Sequence, residues 1–310
     1  MKSRKGTYDV YIGDVALDEY YRAERWPGTA DKENVESLPA VPGGMIANAA
    51  CVSASLGNKT MFCTVLNSGA ITKLLLEDLN RANVDTSLTI YDDTLPDSKT
   101  IIFLVGDEHT IFIPELHIEK IELNDEQMDV LRNARFIYSS WGAVSLLRYH
   151  GMGWDKINDM CHENGVRVVC DYDVDYERNG DDRRFRNVDI GFFNETGYDS
   201  VRAGRSYEEQ AEHLHSLGMK TVVVTLAEKG CVVYSDGRKY TAPARKVDVV
   251  DVTGAGDTFC SSFISVLDSF GIQKAAEFAN AAASICISSL GARAGAVGFD
   301  KVMSVLEQFE

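Results

Sequence analysis

From Tyr8 onward, short β-rich runs alternate with helical patterns, and this ordering leaves few architectures open. Tyr8 to Ile12 reads as a first strand ending at Gly13-Asp14. Ile46 to Leu56 reads as a helix entered through Gly43-Gly44, followed by a strand near Thr60 to Leu66 and a helix near Ile71 to Arg81. Further strands are predicted near Arg135 to Tyr138, Val166 to Cys170, Asp189 to Phe193 and Thr221 to Thr225, with helical patterns between them. Such alternation specifies an α/β fold in which helices cover both faces of a mostly parallel sheet. At 310 residues and 45% hydrophobic content, without internal repeats or low-complexity tracts, the chain reads as one continuous domain spanning 1–310.

Two segments interrupt the pattern. Val15 to Ala40 is polar and aromatic, punctuated by Pro27 and Pro39, and Ser98 to Ile113 holds two β-rich runs, Thr100 to Val105 and Thr110 to Ile113, around Gly106-Asp107-Glu108-His109. The second is a hairpin signal. Insertions at about 15–42 and 97–119 are therefore expected to form a small β lid over one edge of the core.

Charge narrows the partners. With 31 Lys and Arg against 47 Asp and Glu, the net charge is −16, and no basic stripe is present to attract a phosphate backbone. Nucleic acid is thus not expected as a partner. Seven cysteines are scattered without a C-x-x-C pair, mostly inside apolar stretches such as Val168-Val169-Cys170, which predicts reduced buried thiols and neither a disulfide framework nor a zinc site. The start, Met-Lys-Ser-Arg-Lys, lacks the apolar core of a signal peptide, and no apolar run reaches membrane-spanning length, so a cytoplasmic location is expected.

The chemistry concentrates near the end of the chain. Val247 to Val250 looks like a strand, Asp251-Val252-Thr253-Gly254-Ala255-Gly256-Asp257 like a small-residue turn, and Thr258 to Phe270 like an apolar helix. Unpaired backbone N–H groups at a helix start, reached through glycines, make an anion site. Asp257 falls in the first helical turn, where the dipole favours an ionised carboxylate, ready to accept a hydroxyl proton at neutral pH. By itself the run also fits a plain acidic residue after a glycine turn.

Asp251 to Asp257 followed by Thr258-Phe259 resembles the C-terminal signature of the PfkB, ribokinase-like carbohydrate kinase family. Pro42-Gly43-Gly44-Met45-Ile46-Ala47-Asn48-Ala49-Ala50, with Leu56-Gly57, resembles the N-terminal one. Gly13-Asp14, the Thr225 to Gly230 turn and Asn280 before Ala281-Ala282-Ala283 fall in the family order, so the resemblance covers nearly the whole chain. It implies a three-layer α/β/α core and an ATP-dependent kinase acting on a sugar or sugar derivative. Asp257 would be the general base, and the amides of Gly254, Ala255 and Gly256 would hold charge developing on the γ-phosphoryl group. No G-x-x-x-x-G-K-[ST] run occurs, so the glycine-turn helix must replace a P-loop.

The same resemblance implies a sugar site at Asp14, Gly43, Gly44 and Asn48, and a nucleotide site at Asn194, Thr225, Gly230, Ala255 and Asn280. It further implies a monovalent cation, usually potassium, at Asp251 and Thr253, Mg²⁺ with the ATP, and a lid that closes over the sugar and often pairs two subunits. Local alternatives are a strand-end turn for Asp14, a helix cap for Gly43-Gly44, a solvated position for Asn48 and a turn cap for Asp251 and Thr253. The family pattern Asn-x-x-Glu appears here as Asn194-Glu195-Thr196-Gly197, leaving Glu195 or the phosphates and waters to organise Mg²⁺. Ala227 stands where a Gly is usual, and the segment from Cys170 to Arg178 lacks a clean Asp-x-Asn-x-Arg, which weakens fructokinase-like and ketodeoxygluconate-kinase-like assignments. Two readings stay beside the sugar kinase. One is a nucleoside kinase using Trp141, Tyr138 or Phe112 against a base, and the other a regulatory homologue, to which Gly197 gives weight.

Overall fold

The computed structural model describes residues 6–106, 108–173 and 182–308. Nine strands form the main sheet in the order Arg238–Ala242, Cys231–Ser235, Thr221–Thr225, Ile190–Asn194, Arg167–Asp171, Phe136–Ser140, Asp9–Ile12, Thr60–Cys63 and Val84–Asp85. Neighbours from Val84–Asp85 through Thr221–Thr225 run parallel. The last two strands close that edge antiparallel.

Side-chain alternation explains the layers. Val10 and Ile12 enter one core and Tyr11 the other, and Val168, Cys170, Val222 and Val224 divide from Val169 and Val223 in the same way. A sheet covered on both faces needs apolar residues at successive positions, so these strands read as continuous hydrophobic runs. Helices Met45–Ser55 and Ala255–Ile287 cover one face, while Trp154–Glu163 and Tyr207–Ser216 cover the other. The α/β/α architecture expected from the alternation is present. Its parallel strands end together, which gathers Asp14, Asp171, Asn194 and Thr225 at the carboxyl edge where open α/β sheets bind ligands.

A second, five-stranded sheet stands beside that edge. Ala16–Ala23 pairs in parallel with Lys99–Val105, from Leu17 opposite Lys99 to Ala23 opposite Val105. Lys99–Val105 then turns at Gly106 into Glu108–Phe112, the hairpin read from the sequence. Glu36–Ser37 and Val41–Gly43 complete it against Ala16–Ala23. Trp26 stacks on Phe112 at 6.2 Å and meets Phe103 edge-on at 5.8 Å, so aromatic contacts hold the hairpin against the long loop.

Four local expectations change. Val247 to Val250 is not a strand: Arg238–Ala242 already ends the sheet, and the chain leaves it at Pro243 to reach the next helix, with Val249 and Val250 exposed. Thr60 to Leu66 divides, Thr60–Cys63 joining the main sheet while Val65–Leu66 pairs with Ile90–Tyr91. The helix expected over Thr258 to Phe270 runs from Ala255 to Ile287, broken at Gly271, whose φ of 72° and ψ of 174° no helix accommodates. The two antiparallel strands after Gly230 had no counterpart in the sequence pattern. All seven cysteines are buried free thiols. Burial alone pushes the Cys63 thiol up to about 12, so such groups stay inert. Among the described residues no helix is long and apolar enough to cross a membrane.

Candidate active site

The glycine turn is held from three sides. Val250 and Asp251 donate their N–H groups to the Ile287 carbonyl at 2.7 and 3.3 Å, tying the approach to the end of the long helix. Asp251 Oδ1 accepts from Thr253 N and Oγ1 at 2.9 and 2.6 Å, and Oδ2 accepts from Gly291 N at 2.9 Å. Burial works against the charged carboxylate, but the Thr253 and Gly291 donors outweigh it and hold Asp251 below the usual carboxylate range. This is a turn cap, the local alternative to a cation ligand, and neither oxygen is left without a protein donor. Oδ2, with a single donor, keeps acceptor capacity for one further contact.

Gly254 follows in the left-handed region, with φ of 76°. A Cβ there would overlap the Ala292 carbonyl oxygen, so only glycine admits this packing. The helix then starts without a side-chain cap. Ala255 N–H donates to Val252 O at 3.2 Å, whereas the Gly254 and Gly256 amides find no acceptor among the described residues. Of the three amides implied for the phosphoryl group, two are thus available. A Cβ on Gly256 would meet nothing within 4 Å, so that position opens on the cleft.

Asp257 lies in the first turn of this helix and is half-buried. Asn48 Nδ2 donates to its Oδ2 at 2.9 Å, from the helix Met45–Ser55. Burial pushes its proton affinity well above the ordinary carboxylate range; the Asn48 bond opposes this, while Asp171, Asp14 and Asp173 add to it. The helix dipole favours the ionised carboxylate, as its position implies, and burial opposes it. Burial wins, and the group holds its proton further up the pH scale than its position in the helix alone suggests.

Asp171 is the neighbour that sequence reasoning left without a role. It is buried at the end of Arg167–Asp171, accepts from Tyr138 Oη at 2.7 Å, and burial raises it to about 6 despite that bond. Tyr138 is fully buried and committed to Asp171, so it is a core residue and no platform for a base. Phe112 stacks on Trp26 in the small sheet, and Trp141 lines a separate cavity with Arg148 and Trp154.

On the side expected to take the sugar, Asp14 Oδ2 and Oδ1 accept from Met45 N at 2.8 Å and Ile46 N at 3.3 Å. It therefore caps the helix that carries Asn48. Gly44, with φ of 102°, lies against the Asp14 and Val15 backbone, where a Cβ would approach to 2.7 Å. Gly43 makes room for another carboxylate, since a Cβ there would overlap Asp18 Oδ2. Asp18 escaped the sequence reading because only the register of Ala16–Ala23 on Val41–Gly43 brings it there. Arg293 escaped as well; its Nε donates to Asn48 Oδ1 at 3.1 Å.

The residues expected around the nucleotide are more dispersed in role. Thr225 ends its strand, half-buried, with Oγ1 3.4 Å from the Phe193 carbonyl. Gly230, at φ of 93°, has the Ala242 carbonyl where a Cβ would be. Asn280 is buried and donates to the Ala242 and Pro243 carbonyls at 3.0 and 3.1 Å, so it supports the loop beneath the exposed Val249 and Val250 and does not face solvent. Asn194 caps the next helix by accepting from Gly197 N at 2.6 Å and donates to Asp173. Glu195 pairs with Lys229 at 3.3 Å. The glycine at 197 has a steric cause: a Cβ would stand 2.7 Å from the Tyr172 carbonyl oxygen and 2.8 Å from that of Asp173. Residues 174–178 of the segment compared with Asp-x-Asn-x-Arg lie outside the described residues. No group of three His, Cys, Asp or Glu side chains arranged to hold a metal occurs among the described residues.

The profile of the pfkB family carbohydrate kinases matches residues 8–297. The chain is 25% identical to the ribokinase of Staphylococcus aureus (strain COL), over 96% of this chain and 98% of that protein. The structure of Arabidopsis thaliana ribokinase complexed with ribose and ATP superposes with a TM-score of 0.84 at 24% identity, over 97% of this chain and 99% of that one. A Methanocaldococcus jannaschii nucleoside kinase, an archaeal member of the ribokinase family, superposes at 0.81 with 19% identity, over 99% and 100%. The structural likenesses speak to the fold, and the motif resemblance agrees with the profile.

Two expectations follow from this geometry. Gly254→Ala should lower stability by more than about 2 kcal/mol in urea unfolding, since the left-handed backbone and the Ala292 contact both oppose a methyl. Gly256→Ala should unfold at or slightly above the wild-type midpoint yet lose ATP-dependent turnover, because its methyl fills only cleft space; wild-type ATP kinetics would show that no phosphate approaches there. Separately, Asp171→Asn should move the acid limb of activity to lower pH. Asp257 must lose its proton to act as a base, and removing a neighbouring negative charge makes that loss easier. A limb that stays in place or moves upward would exclude this electrostatic link.

Proposed function

Because the chain belongs to the pfkB family of carbohydrate kinases, it is a phosphotransferase with an alcohol acceptor, and we propose that it transfers the γ-phosphoryl group of ATP to a hydroxyl of a sugar or sugar derivative. One observation carries the reading. Asp257 stands in the first helical turn, its Oδ2 held by Asn48, directly after a Gly256 with open space at its Cβ position and an amide that finds no acceptor among the described residues. A proton acceptor and unpaired backbone donors at a helix start are thus adjacent, which is what in-line phosphoryl transfer needs from a protein.

In the proposed reaction Asp257 Oδ1 takes the proton of the acceptor hydroxyl as its oxygen bonds to the γ-phosphorus. The bond from that phosphorus to the β–γ bridging oxygen breaks, and ADP leaves with the electron pair. The proton passes from Asp257 to solvent once the phosphorylated product departs. The Gly254 and Gly256 amides and the helix N-terminus accept the negative charge that develops on the transferred group. Mg²⁺ bound to the nucleotide supplies further charge neutralisation. Val249, Val250 and Val252, exposed just before the turn, offer an apolar rest for the adenine. The small sheet, reaching the cleft through Asp18, would exclude water from the acceptor.

The acceptor end is rich in negative charge, with Asp14, Asp171 and Asp173 all raising the proton affinity of Asp257. Like charges at such range disfavour an anionic ligand, so a neutral or amino-bearing polyol suits the site better than a sugar acid or sugar phosphate. In a coupled assay of ADP release with Mg-ATP, neutral sugars, amino-sugar derivatives and nucleosides are therefore expected to contain the acceptor. Turnover confined to anionic sugars would overturn the electrostatic argument. With the acceptor in hand, Asp257→Asn should lower turnover by about 10²–10⁴-fold. A variant as fast as wild type would remove Asp257 from the mechanism.

A further inference from the structure

Arg293 lies in the loop that follows the long helix and packs on the glycine turn, its side chain 19% exposed. Nη1 pairs with Asp78 of the helix Ala70–Arg81, and Nε donates to Asn48 Oδ1 at 3.1 Å. Asn48 in turn donates through Nδ2 to Asp257 Oδ2 at 2.9 Å, and its side chain is buried. A continuous chain of contacts therefore links Asp78, Arg293, Asn48 and Asp257 across four separate elements.

The chemistry of its two ends decides how the middle must point. A guanidinium only donates and a carboxylate only accepts, so the amide between them has one satisfactory orientation, carbonyl toward Arg293 and NH₂ toward Asp257. Turning the amide over would set oxygen against carboxylate and NH₂ against guanidinium, losing both bonds. Without Arg293 nothing on that side distinguishes the two orientations. A planar fork anchored at Asp78 also holds its position better than the flexible stem of a lysine. Arg293 Nη2 is buried with no hydrogen-bond partner among the described residues, an arrangement that stability alone does not favour.

We propose that Arg293 is a positioning residue for the base: it locks the Asn48 amide, which holds Asp257 Oδ2 and leaves Oδ1 directed to the acceptor hydroxyl. The proposal rests on the reading of Asp257 as that base. Around Asp257 stand Asn48 from the helix Met45–Ser55, Asp14 after the first strand, Asp171 and Asp173 from the neighbouring strand end, Tyr138 from Phe136–Ser140, and Cys260 and Cys286 on its own long helix. Around Arg293 stand Asp78 and Asn48, with Asp18 and Cys51 at longer range. All the other ionisable neighbours of Asp257 are acids, so the donated Asn48 hydrogen is the contact that favours its charged form.

Carboxyl ¹³C NMR titration of Asp257, assigned by the signal lost in Asp257→Asn, reads this without any acceptor. Arg293→Met should move the Asp257 midpoint to higher pH by about one unit, as expected when a bond to the charged form is lost. Asn48→Ala should do the same, and the double variant should move it no further than Asn48→Ala. An unshifted midpoint in Arg293→Met, or additive shifts in the double variant, overturns the proposal. Should Arg293→Met fail to fold, Asp78→Asn removes the anchor from a partly exposed helix position, and its midpoint should rise in the same direction; no rise overturns the proposal equally. If the midpoints shift as expected while Asp257→Asn still turns over, the base assignment fails and the positioning contact stands.

Discussion

The close approach of Gly254 to the Ala292 carbonyl is the constraint on which the catalytic end of the molecule depends. It requires a residue without Cβ in a left-handed backbone, and only glycine meets both demands. What it brings together is larger than a turn. The loop from Ser288 to Ala296 follows the end of the long helix and folds back over the start of the same helix. There Gly291 bonds Asp251, Arg293 reaches Asn48, and Gly295 admits Thr258, whose Oγ1 would overlap a Cβ at 295. The start of the helix is therefore braced by the chain that leaves its end, and the Asp257 carboxyl has little freedom to drift.

A second consequence is electrostatic. Parallel strands deliver their carboxyl ends to one edge, and here that edge collects Asp14, Asp171 and Asp173 around Asp257. Each added carboxylate makes ionisation of the base harder, and burial dominates all of them. The contacts that counteract this are few: the helix N-terminus and the donated hydrogen of Asn48. A proton affinity raised toward the working pH is what Brønsted behaviour asks of a general base, provided the group still ionises. The acidic surroundings thus raise its basicity, and the Asn48 contact keeps the charged form within reach. Tyr138 acts likewise on the neighbouring carboxyl, donating its hydroxyl hydrogen to Asp171.

The sequence made the repeating core legible because its strands are covered on both faces and so appear as short apolar runs at helix-length spacing. Val247 to Val250 shows where that logic fails. Three valines in four residues do not make a strand when the sheet edge is already occupied, and Val249 and Val250 stay exposed. Boundaries moved by a residue or two, as at Arg167–Asp171, because the ends of strands are set by cross-strand hydrogen bonds that no local pattern encodes. The candidate site was legible where backbone and glycine shape it, at Gly43-Gly44 and Gly254 to Asp257. It was not legible where tertiary register decides. Asp18 reaches the cleft only through pairing with Val41, and Arg293 meets Asn48 from 245 positions away.

Gly197 shows how a departure from a family pattern acquires meaning from its neighbours. Considered alone, the loss of a carboxylate at that position argues for weakened metal handling. In the fold, the Tyr172 and Asp173 carbonyls occupy the space a side chain would need, and Asn194 ties Asp173 to the same helix start. Tyr172 and Asp173, just after Arg167–Asp171, lie against the helix that begins at Glu195, and glycine is the residue that this approach permits. A catalytic turn with its glycines, Asp257 and their supports intact is hard to reconcile with a chain that has given up phosphoryl transfer. The same packing holds Asp173, through Asn194, close enough to Asp257 to raise its proton affinity, so the position that first argued against activity bears instead on the charge around Asp257.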